Sequence, residues 1–156
     1  MTARIYPMVL RMISMTLLLS MSLKAVLEVS TEFDSWWYHL PWAANLWGIV
    51  TTEHYIWSGY VQDRFSGFPL LVEFLQGFFW QITGRPEGAN LVCLLSLMLY
   101  LAFLRTYFRI PVYLSSIALL AIPLVQTHAT STYADLPANQ RKKRLAHGRS
   151  SGFNQS

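Results

Sequence analysis

The chain has 156 residues, 53% of them hydrophobic, 15% aromatic and 13% charged, against roughly 25% charged in an ordinary soluble domain. That deficit excludes a disordered chain, and the single cysteine, Cys93, excludes a disulfide scaffold and a thiolate zinc cluster. The net charge of +4 belongs to a tail: Arg141, Lys142, Lys143, Arg144 and Arg149 fall within nine residues, and the rest holds seven basic against eight acidic residues, so no nucleic acid partner is expected.

The first apolar stretch, 12–23, carries no charge; Arg4 and Arg11 precede it and Lys24 follows. It is short for a span, which needs about 20 residues. Arg11 and Lys24 can snorkel, so a span over 6–29 suffices. A cleaved secretory leader, with Ser20-Met21-Ser22 as its small-x-small site, is the rival reading. The strong apolar segments further on favour an uncleaved anchor.

Five of the six tryptophans follow: Trp36, Trp37, Trp42, Trp47 and Trp57. Tryptophan favours the membrane–water interface, so 35–47 reads as a short juxtamembrane helix pair broken at Pro41. Trp36, Leu40, Ala44 and Trp47 would share one face of it. The stretch 65–82 is apolar, but Ser66, Glu73, Gln76, Gln81 and Gly84 form one polar stripe at helical spacing. This predicts an amphipathic helix that lies at the interface or lines a cavity. Glu73 in that setting wants a partner, for which Arg64 or Arg85 is available.

Two further spans are predicted, 89–108 and 110–129. Pro111 suits the start of the last helix, and Pro123 would kink it. Arg105 and Arg109 separate the two, so the positive-inside rule puts that loop and the N-terminus in the cytoplasm. For the crossings to close, 65–82 must stay on the outer side, within an outer loop over 30–88. The fold class is therefore all-α: a polytopic membrane protein with about three transmembrane helices plus juxtamembrane amphipathic helices.

The tail, 140–156, is basic, polar and expected to be disordered. Following an outward-running helix, its charge breaks the positive-inside bias, which reads as a shifted frame or a premature stop.

Two aspartates stand at the outer ends of apolar helices, Asp34 and Asp135. Two carboxylates meeting at a lipid interface can hold a divalent metal or act as a general base; each can also simply cap a helix. His39, His54 and His128 match no standard zinc spacing. There is no GxGxxG, Walker loop, HExxH or GxSxG, so nucleotide binding and serine-hydrolase chemistry have no support.

The stretch 34–41, Asp-Ser-Trp-Trp-Tyr-His-Leu-Pro, resembles the GT-C membrane glycosyltransferases, in the branch of protein mannosyltransferases and aminoarabinose-lipid A transferases. The proline-led helix of 68–92 and Tyr133-Ala134-Asp135-Leu136-Pro137 resemble that branch's amphipathic helix and second aspartate motif. The likeness covers roughly 6–139, and 1–139 is taken as the N-terminal part of such a transmembrane domain. It departs at Gly67-Phe68, where many members carry an acidic residue.

The resemblance implies transfer of a sugar from a polyprenyl-phosphate donor to an acceptor at the outer face, with membrane lipid as partner. It implies Asp34 and Asp135 as catalytic residues and as ligands of a divalent metal. It implies Tyr38, His39 and Tyr133 as substrate-binding residues, and Arg64 and Arg85 are candidates for phosphate contact on charge alone. It also implies a bacterial inner (plasma) membrane location. Members have eight or more membrane helices, which leads to the expectation of a truncated chain without turnover of its own. The rival function is a small non-enzymatic polytopic protein that acts by helix packing with partners.

Overall fold

A computed structural model of the chain describes residues 2–50 and 70–132, which are helical and contain no strand. The long apolar run gives α1, Thr2–Leu27. It presents Val9, Met12, Leu19 and Leu23 outward. A five-residue π-helical turn, Ser35–His39, leads directly into α2, Leu40–Leu46, with Pro41 in its first turn. Helix α3, Leu71–Thr83, ends at Gly84, whose φ of +66° supplies the left-handed cap that bonds back to Trp80. A 3₁₀ turn, Pro86–Asn90, opens α4, Leu91–Tyr107.

Two helical stretches, Ile5–Leu27 and Pro86–Tyr107, are long and apolar enough to cross a membrane; a third crossing exists if the bent pair below forms one span. The helices are those expected of an integral membrane protein. Asn90 fixes how α1 and α4 meet. Its Nδ2 donates to Ala25 O at 3.2 Å and to Glu28 O at 2.9 Å, so the start of α4 is clipped to the end of α1. Everything between them leaves and returns at the same end of the helix pair. The thirteen residues of α3 extend about 20 Å, short of the roughly 30 Å hydrocarbon core. Helix α3 packs on α2 and on the 3₁₀ turn, forming a cap over that end.

The segment 110–129 differs from a single kinked helix. It forms α5, Val112–Leu120, and α6, Pro123–Ala129, which meet at 101°. Pro123 disfavours the helical region for the residue before it, and Ile122 is extended at φ −91°, ψ 113°. Gln126 Nε2 donates to Leu120 O, replacing a backbone bond lost at the break. Pro111 stands at the cap of α5 rather than inside its first turn.

Met21, Leu97, Leu101, Leu120 and Ala129 form the core between α1, α4, α5 and α6. Lipid is as apolar as these side chains, so their packing holds by close contact and by interhelical hydrogen bonds. One such bond joins the hydroxyls of Ser14 and Ser116 at 2.6 Å, both buried. Ser14→Ala is expected to weaken the α1–α5 contact by about 1 kcal/mol, measured by unfolding in mixed micelles.

Candidate functional site

The cap gathers several buried polar side chains. Asp34 stands at the N-cap position of the π turn, half-buried, and its carboxylate makes no capping bond to the turn. A π turn is rare overall and frequent at functional positions. This one is tied down at both ends. At its start, the hydroxyls of Ser30 and Ser35 lie 2.8 Å apart, and Trp36 Nε1 donates to Ser30 O at 2.6 Å. Phe33 stacks on Trp37 with ring centroids 5.4 Å apart.

At its end, His39 Nδ1 lies 2.8 Å from Glu73 Oε1. With Glu73 ionised, the carboxylate accepts and Nδ1–H donates. Both side chains are enclosed, with His39 3% and Glu73 4% exposed. The rings of Tyr38 and Trp42 pack about the imidazole, Tyr38 at 4.2 Å and Trp42 edge-on at 6.4 Å. Among the described residues the partner of Glu73 is thus His39, not Arg85. The cause is the close approach of α2 to α3, which brings together residues 34 positions apart. Arg85 turns instead to Glu87 Oε1 at 3.0 Å, with its own side chain largely in solvent.

Gln76 lies one turn beyond Glu73, on the same face of α3. It is fully buried and its Nε2 donates to Thr132 O at 2.8 Å. One helix face therefore binds the Asp34-bearing turn and the segment after α6. That segment, Thr130 to Thr132, is itself buried. Of the described stripe residues, Glu73 and Gln76 face the protein and each has a partner, while Gln81 is exposed. Tyr38 is half-buried beside His39. Arg64, Tyr133 and Asp135 lie outside the described residues, as do His54 and Trp57. His128 is half-buried in α6.

The shared face predicted for Trp36, Leu40, Ala44 and Trp47 does not form as one face. Leu40 and Ala44 are buried, Trp36 is exposed, and Trp42 is the tryptophan that fills the interior. The π turn is wider than 3.6 residues, so it rotates the positions before Leu40 out of register with those after it.

Among the described residues no three His, Cys, Asp or Glu side chains group to hold a metal. Of the expected metal pair only Asp34 is described, and a hard divalent cation takes six or more oxygens. The described donors alone do not make that site. His39 is among the expected site residues, whereas Glu73, Gln76 and Ser30 are not. Glu73 on an apolar helix was the signal, since a carboxylate there requires a partner.

Compared with known proteins, the chain matches no family model, no curated protein and no solved structure.

Proposed function

We propose that the chain carries the outer, aspartate-bearing site of a GT-C-type membrane glycosyltransferase, which moves a sugar from a polyprenyl-phosphate donor to an acceptor hydroxyl. The observation that supports this reading is the polar face of α3. Glu73 holds the turn that carries Asp34, and Gln76 holds Thr132, three residues ahead of Asp135. Three residues reach at most about 10 Å. Segments a hundred residues apart are thus tied to one helix face, over the end of two apolar helices.

In this reading Asp34 takes the proton of the acceptor hydroxyl as that oxygen bonds to the anomeric carbon. The bond from that carbon to the phosphate oxygen breaks, and the electron pair leaves with the phosphate. Asp135 orients or assists. Arg85, exposed beside Glu87, keeps N–H groups for a phosphate, and Arg64 is assigned the same task. Tyr38 and Tyr133 border the substrate. The N-terminus is cytoplasmic, α1 runs outward and α4 returns.

Two experiments test this. Single cysteines at Trp37 and Tyr107, both exposed, in a Cys93→Ala background are expected to react with an impermeant reagent from opposite sides of the membrane. Reaction of both from one side would remove the outer site. Liposomes holding the chain are expected to retain a radiolabelled polyprenyl-phosphate sugar saturably. Unlabelled polyprenyl phosphate should displace it and polyprenol should not. Equal displacement by polyprenol would overturn the reading.

A further inference from the structure

The His39–Glu73 pair is too enclosed to meet a substrate, His39 being 3% and Glu73 4% exposed, which takes His39 out of the expected substrate-binding set. Stability does not account for it either. A buried ionisable pair is often no more stabilising than apolar side chains of the same volume. What the pair does hold is geometry. His39 is the last residue of the π turn, and Asp34 is its N-cap. Ser30 fixes the first half of the turn through Ser35 and Trp36. Glu73 is the fixed point at the other end. Helix α3 can serve as that anchor because it is itself gripped by α2 and the 3₁₀ turn.

We propose that Glu73 and His39 are positioning residues, which clamp the Asp34-bearing turn onto α3 and so set where the Asp34 carboxylate stands. What Asp34 then does rests on the glycosyltransferase reading; the clamp rests on the geometry alone. With Glu73 ionised, its carboxylate accepts from Nδ1–H, which fixes the ring's tautomer as well as its place. A displacement of about 1 Å at a reacting group can cost 100-fold in rate, which is why a short turn beside a carboxylate would be held at both ends.

The test uses the full chain in lipid nanodiscs, with Cys93→Ala. Nitroxide labels go on cysteines at Phe33 and Ile82, which are 71% and 64% exposed. A second pair goes on Leu19 and Leu99, on the exposed faces of α1 and α4. With the clamp intact both distance distributions are narrow. Glu73→Leu is expected to broaden the Phe33–Ile82 distribution about twofold or more, by local opening, and to leave Leu19–Leu99 unchanged. His39→Leu gives the same result, and the double variant is no broader than either single one, since the two act as a unit. Glu73→Gln, whose amide oxygen still accepts from Nδ1–H, restores the narrow distribution. A Phe33–Ile82 distribution that stays narrow in both leucine variants would overturn the proposal. So would equal broadening of both label pairs, which assigns the bond to the fold as a whole. Failure of donor binding would instead overturn the glycosyltransferase reading, and the distances still decide the clamp.

Discussion

Gly77→Ala is expected to force α2 away from α3 and to cost about 3–4 kcal/mol, the larger part from overpacking and the rest from a lost hydrogen bond. A Cβ at Gly77 would stand 2.6 Å from the backbone oxygen of Ala43, and closer still to the Trp47 ring. The ring cannot swing clear without loss. Its Nε1 donates to Phe74 O at 2.8 Å, and it packs on Phe74 and Phe78. The Ala43 oxygen belongs to helical backbone and does not yield. Gly48→Ala is the control. Gly48 has φ +63° but open space about it, so only backbone strain of roughly 1–2 kcal/mol applies. Micellar unfolding followed by tryptophan fluorescence measures both. A Gly77→Ala loss no greater than that of Gly48→Ala would contradict the contact.

Asn90→Leu is the second large effect, at about 2–3 kcal/mol. Asn90 is fully buried, and its one amide nitrogen serves two carbonyls at the end of α1. Leucine has similar volume but no donor, so both carbonyls lose their partner while the packing is kept. Asn90→Asp also loses the donor, and it adds a carboxylate facing two carbonyl oxygens, so it is expected to be worse than leucine. The order Asn90, Leu, Asp in unfolding midpoint distinguishes a hydrogen-bonded clip from a packing contact. Equal stability of the leucine variant and the unaltered chain would remove the clip.

The apolar runs made α1 and α4 legible, because an uncharged stretch of membrane length has few other solutions. Helix α3 was legible from its stripe, though it begins at Leu71 and its charged residue faces inward. The break at Ile122–Pro123 was only half legible. Proline announces a kink, but the 101° turn depends on Gln126 reaching back to Leu120, which no local pattern states. The site was harder. Chain proximity offered Arg85 to Glu73, whereas the fold supplies a histidine from another element. Helical spacing placed Trp36 with Leu40, and the π turn undid it. Long-range pairs and a change of helical pitch come from tertiary packing, which a single sequence does not display.

The Asn90 clip also constrains the order of assembly. Its acceptors lie 65 and 62 residues earlier in the chain. Closing a loop of that length costs roughly 3–4 kcal/mol of chain entropy, more than the clip itself returns. The clip therefore cannot form first and wait for the cap. At the roughly 5–20 residues per second of synthesis, α1 is in the bilayer for several seconds before Asn90 exists. During that interval Ala25 and Glu28 must keep their carbonyls at the water side. The α2–α3 contact, local and glycine-mediated, can close meanwhile and shorten the effective loop. A slow ribosome over the segment between α1 and α4 would thus favour correct assembly, and substitutions at Gly77 should slow the docking of α4 on α1.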